Sequence, residues 1–143
     1  MNVSGDDPTT ITVVAVTVED VVAAIEANER RNAGAVLRVT PPFSGRMRAR
    51  LHIAGAEQTY GDPAPLHVPP GRMVESVPPF PTPDEVADEL RSDPDETYSP
   101  ERQRERYETA LQSWRQAIED GIAETATIDT PSGPHDVRIA ALG

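Results

Sequence analysis

The strongest constraint on this chain is an apolar stripe between positions 107 and 122. Tyr107, Leu111, Trp114, Ile118 and Ile122 recur at spacings of four, three, four and four, which marks one face of an α-helix rather than the alternation of a strand. The residues ahead of it fix where the helix starts. Ser99 can cap the first turn, Pro100 suits the first helical position because its missing N–H has no intrahelical acceptor there, and Glu101 meets the positive end of the helix dipole. Arg102, Arg104, Glu105, Arg106 and Glu108 fall on the opposite face, which reads as solvated. The spacing predicts a helix over 99–123 that carries the only tryptophan into a core.

The rest of the chain supplies what such a helix needs. Residues 1–10, MNVSGDDPTT, are small and polar and are expected to be flexible, leaving 11–143 as a single α+β domain of sufficient length for one core. ITVVAVTV, residues 11–18, is β-branched nearly throughout and predicts a strand buried on both faces. A helix follows, with Thr17 as its cap, Glu19 and Asp20 in its first turn, Val18, Val21, Val22 and Ile25 as its stripe and Gly34 as its stop. Strands are predicted over 35–40 and 46–54, joined by the short PPFSG connection of a hairpin.

Residues 55–80 hold proline and glycine too densely for long regular structure, leaving a short edge strand over 65–68 and a turn or short helix over 72–77. Thr82, Pro83 and Glu85 form the start of a second helix, and ETATIDT and HDVRIAAL flank PSGP as a C-terminal hairpin. Phe80, within VPPFPTP, is expected to pack beside that second helix rather than serve a polyproline docking motif. The order β-α-β-β-(irregular)-α-α-β-β implies an α+β fold, a mainly antiparallel sheet of about five strands with helices packed on one face.

Charge narrows the chemistry. The chain has 24 acids against 13 bases, every base is arginine, and the net charge is −11. A carboxylate-rich surface without lysine is the composition of proteins in salt-accumulating cells, where molar salt screens self-repulsion. The absence of cysteine excludes disulfides, thiolate metal sites and a cysteine nucleophile. The apolar runs are too short to span a membrane and the N-terminus has no secretory pattern, so a cytoplasmic protein is expected. Residues 1–75 hold nine acids and seven arginines, whereas 76–143 hold fifteen acids and six arginines, so the two stretches carry net charges of −2 and −9.

The arginines of the first stretch have a pattern. In a strand over 46–53, Arg46, Arg48, Arg50 and His52 share one face while Met47, Ala49, Leu51 and Ile53 share the other. Arg38 joins the first group if the strand over 35–40 pairs antiparallel beside it. Such a row suits a phosphate, a carboxylate ligand or a nucleic-acid backbone. The plainer counterpart is a solvated strand face whose arginines pair with the protein's own carboxylates or discourage edge association. Nucleic acid is not expected as a partner, because no stacking aromatic stands on this strand.

Other chemistry finds no support in the spacing. His52, His67 and His135 lie far apart and match no metal-ligand motif, so neither metal nor cofactor is expected. There is no G-x-S-x-G, no glycine-rich phosphate loop after the first strand, and no carboxylate pair that stands out in so acidic a chain. No catalytic residue is assigned. The expected function is a non-enzymatic binding or regulatory module recognising a partner protein or an anionic ligand through Arg38, Arg46, Arg48, Arg50 and His52. The alternative is a small hydrolase or transferase on an anionic substrate, with His52 as acid or base.

LHVPP, VPPFPTPDEVADEL and YSPERQRERYETALQSWRQAI together resemble an uncharacterised family of small soluble proteins from halophilic archaea. In that family a Pro-Thr-Pro-Asp helix start is followed by a Ser/Thr-Pro-Glu-Arg start to a tryptophan-bearing helix. The resemblance covers about half the chain and rests on caps and core positions. It implies a shared lineage and fold, and carries over no activity and no functional residue.

Overall fold

The computed structural model describes residues 5–53 and 61–143. The chain forms two compact units, residues 1–76 with 121–143, and residues 77–120.

The first unit is built on a six-stranded sheet. Its strands are β1 (Val13–Thr17), β2 (Ala35–Val39), β3 (Arg46–Ile53), β4 (Leu66–Val68), β5 (Thr125–Thr130) and β6 (Gly133–Leu142), in the order β4-β2-β3-β1-β6-β5. β2 runs antiparallel to both β3 and β4, and β5 antiparallel to β6. β1 runs parallel to both of its neighbours, β3 and β6. The α+β class holds, but the sheet has six strands and is mixed, with three antiparallel and two parallel pairings, so the expectation of a mainly antiparallel sheet of five is met only in part.

The physical reason lies in β1 itself. Val14, Ala15 and Val16 are buried in succession, as in a central strand covered on both faces, and such a strand is suited to parallel neighbours supplied by distant segments. The sixth strand is β4, a three-residue edge in the proline-rich stretch, followed by a 3-10 turn at Pro70–Met73. Residues 54–60 of that stretch, and the end of the strand predicted over 46–54, lie outside the described residues.

Helix α1 (Val18–Arg31) packs against β1, β2 and β3. Thr17 caps it by accepting the Asp20 N–H, and its buried residues are Val21, Val22, Ala24 and Ile25. It stops at Asn32, whose left-handed backbone (φ 49°) ends the helix two residues before Gly34. Asn28 then fastens the helix to β2, its carboxamide bonding both N and O of Ala35. Ahead of β1, Pro8–Thr10 forms a 3-10 turn capped by Asp7.

The second unit holds α2 (Pro83–Ser92) and α3 (Pro100–Asp120), which pack on each other. Thr82 caps α2 through the Glu85 N–H, and Ser99 accepts the Arg102 N–H at the start of α3. Leu111, Trp114 and Ile118 are the buried part of the stripe, with Tyr107 half-buried. Ile122 lies past the helix end and belongs to the first unit, where it forms an isolated bridge with Val74. Trp114 meets Phe80 edge-on, with ring centroids 5.0 Å apart, and its indole N–H donates to Pro78 O at 3.0 Å.

Candidate anion-binding face

The eight residues of β3 are strand throughout, so the alternation of Arg46, Arg48, Arg50 and His52 against Met47, Ala49, Leu51 and Ile53 holds. Side chains on one face of a strand repeat about every 6.8 Å, which spreads the arginine row over roughly 14 Å. Arg46 and Arg50 are exposed; Arg48 and His52 are half-buried.

The aliphatic row differs from expectation. Ala49 is fully buried, but Leu51 and Ile53 are 39% and 41% exposed. The β1 ladder reaches only Arg46–Arg48, so the far half of β3 has no strand on that side among the described residues, and the Leu51 N–H goes instead to the Asp20 carboxylate at 3.2 Å.

Pairing brings more residues to the cationic face than β3 supplies. Arg38 of β2 lies directly opposite Arg50, and Val36 opposite His52. On its other side Arg38 lies opposite His67 of β4. The His52 and His67 rings converge across β2, their centroids 5.3 Å apart and tilted by 36°. At the other end, Val13 of β1 stands opposite Arg46 on one side and Arg138 of β6 on the other. Five arginines and two histidines thus project from one face, with Asp136 and Asp129 towards the β6–β5 side.

Arg138 and His67 are the members that sequence reasoning missed. Alternation with Val137 and Ile139 could have placed Arg138 outward, but nothing local in the sequence announces the parallel pairing that puts it beside β1.

The arginines of β3 are not consumed by the protein's own acids among the described residues. The ion pairs found are Arg30 with Glu26, Arg72 with Asp129, Arg102 with Glu96 and Arg106 with Asp93. None engages Arg46, Arg48 or Arg50. On the face, Arg48 Nε and His52 Nε2 are buried with no hydrogen-bond partner among the described residues. Each such atom carries a desolvation cost of about 1–3 kcal/mol that an acceptor would relieve.

His52 donates no hydrogen bond to a carboxylate among the described residues; its neighbour is the ring of His67. His135 is occupied elsewhere, its Nε2 lying 2.6 Å from the Ile11 carbonyl and so acting as donor. Among the described residues no group of three or more His, Cys, Asp or Glu could hold a metal ion, and no helix is long and apolar enough to cross a membrane.

Fold and face together define an α+β protein with an arginine-bearing sheet surface. The chain belongs to the family described as "Domain of unknown function (DUF8009)", whose model matches residues 1–143. No curated protein and no solved structure matches it.

Proposed function

We propose that this chain is a non-enzymatic binding module whose Arg38, Arg46, Arg48, Arg50 and His52 face takes up an anionic ligand or an acidic segment of a partner protein. The observation that carries the reading is the row Arg46, Arg48 and Arg50, without a carboxylate partner among the described residues, in a chain of net charge −11. Acids are plentiful, yet none of the described ones forms an ion pair with these arginines.

The lysine-free composition supports a salt-adapted cytoplasmic protein, and that choice matters for recognition. At 1 M salt the screening length is about 3 Å, so long-range attraction is lost and only short contacts survive. Arginine can still hold a carboxylate or phosphate there through two parallel N–H donors, which the point charge of lysine cannot do.

Calorimetric titration with pyrophosphate and with a hexaglutamate peptide, at low and at molar salt, tests the proposal. Binding that falls at least tenfold when Arg46, Arg48 and Arg50 are all changed to Gln supports it. Binding of both probes that is unchanged in the triple variant overturns it.

A further inference from the structure

Resting on that reading, we infer that the acidic segment taken up by the arginine face is helix α2 of a second copy of this chain. Charge is laid out on the two elements in complementary form. Arg46, Arg48 and Arg50 run along β3, Arg138 stands across Val13 from Arg46, and none of the four enters an ion pair among the described residues. Asp84, Glu85, Asp88 and Glu89 of α2 are all exposed and likewise enter none.

The buried side of α2 is Val86, Ala87 and Leu90, which turns the four carboxylates outward. They form two pairs four residues apart, Asp84 with Asp88 and Glu85 with Glu89, and like charges at that spacing repel. The arginines repel one another along the strand in the same way. A contact between the two elements replaces both repulsions with attraction, and guanidinium forks on carboxylates are the short contacts that outlast screening.

The dimensions agree. Residues four apart on a helix rise about 6 Å, and residues two apart on a strand about 6.8 Å, a difference that long arginine side chains absorb. The ten residues of α2 extend about 15 Å, against roughly 14 Å for the row from Arg46 to Arg50.

The other helices lack this layout. α1 pairs Glu26 with Arg30, and α3 interleaves Glu101, Glu105 and Glu108 with Arg102, Arg104 and Arg106. The base of α2, Arg91, sits in its last turn, 4.3 Å from the centroid of the Tyr98 ring. Every molecule that carries the face also carries this helix, so the complement is present wherever the face is.

Sedimentation equilibrium of the full chain, at the lowest salt that leaves its circular dichroism unchanged, tests the contact. The wild type is expected to gain mass with concentration. One variant carries Arg46→Gln, Arg48→Gln and Arg50→Gln; the other carries Asp84→Asn, Glu85→Gln, Asp88→Asn and Glu89→Gln. Each is expected to weaken self-association at least tenfold. The helix variant is the sharper of the two, because neutralising four acids takes the net charge from −11 to −7 and lowers the general repulsion between copies. A loss of association there runs against the trend of net charge and identifies a specific contact. Asp88→Asn with Glu89→Gln, which spares the capped first turn, replaces it if the fourfold change disturbs α2.

Mixing the two variants, one keeping the helix and the other the face, is expected to restore a complex that neither forms alone. A wild type that stays at monomer mass overturns the inference, as does a folded helix variant that associates like the wild type, or a mixture that forms no complex. Hexaglutamate bound by a wild type that remains a monomer assigns the face to a foreign acidic segment; it overturns self-docking and upholds the binding face, whose own failure is read from the pyrophosphate and hexaglutamate titrations above.

Discussion

The Asn28 carboxamide grips the peptide of Ala35 from both ends, accepting its N–H at 2.7 Å and donating to its carbonyl at 2.9 Å. The last turns of α1 are thereby tied to the first residue of β2, which sets the start of the strand that carries Arg38. Asn28→Ala removes both bonds and leaves a buried backbone pair to find water. A loss of about 1–3 kcal/mol is expected, read as a lower urea midpoint with unchanged slope. Asn28→Asp keeps the acceptor but loses the donor, so it does not rescue.

Trp114 combines an apolar contact with a polar one. Trp114→Phe retains a ring beside Phe80 but leaves the Pro78 carbonyl without its 3.0 Å donor, an expected loss of about 1 kcal/mol, whereas Trp114→Ala removes the ring as well and costs about 3–5 kcal/mol. Equal stabilities of the two variants in thermal unfolding would contradict this division.

Arg72 guards an edge. β5 is the outermost strand on its side of the sheet, and Arg72 donates to the Thr127 carbonyl at 2.8 Å while pairing with Asp129 at 3.2 Å. The pair is exposed, so Arg72→Ala should cost less than about 1 kcal/mol in stability. Its larger effect is expected in association, because an unblocked edge carbonyl invites another strand. Sedimentation velocity at increasing concentration checks it, and a variant that stays as dispersed as the wild type counts against the guard.

Among the described residues, Asp7 is the group whose acid behaviour the structure changes. The Thr9 hydroxyl bond, at 2.6 Å, is the larger cause, the Thr9 N–H at 2.9 Å adds to it, and His135 contributes charge; together they hold the Asp7 carboxyl below its ordinary value of 3.8. A depressed folded value means that the cap's contribution is complete above the unfolded value and is lost as pH falls through the folded one. A carbon-detected titration should place the Asp7 midpoint below 3.8, and Asp7→Asn should abolish the acid-induced change at the Thr9 amide. A midpoint at or above the ordinary value would remove this account.

What the sequence disclosed and what it hid follow from the range of the interactions involved. Caps are local, so Thr17, Thr82 and Ser99 could be read from their immediate neighbours and all three hold a helix start. Alternation in β3 is equally local, and Arg46, Arg48, Arg50 and His52 do share a face. The cover over that strand's other face is not local: Leu51 and Ile53 looked like core, but the short β1 ladder leaves them half-open. Parallel pairing leaves no turn to recognise, so β1 between β3 and β6 was invisible, and Arg138 with it. The stop at Asn32 rather than Gly34 shows the same limit on a small scale, because two residues able to adopt a left-handed backbone stood close together.

β1 has a kinetic consequence as well. Its partners come from β3, a few tens of residues on, and from β6, near the far end of the described chain. Closing that second ladder requires a long loop to form before any of its contacts is rewarded, which slows folding in sheets of this kind. Early in refolding β1 would be flanked on one side only, a sticky aliphatic ribbon waiting for the hairpin of β5 and β6 to arrive and shield it.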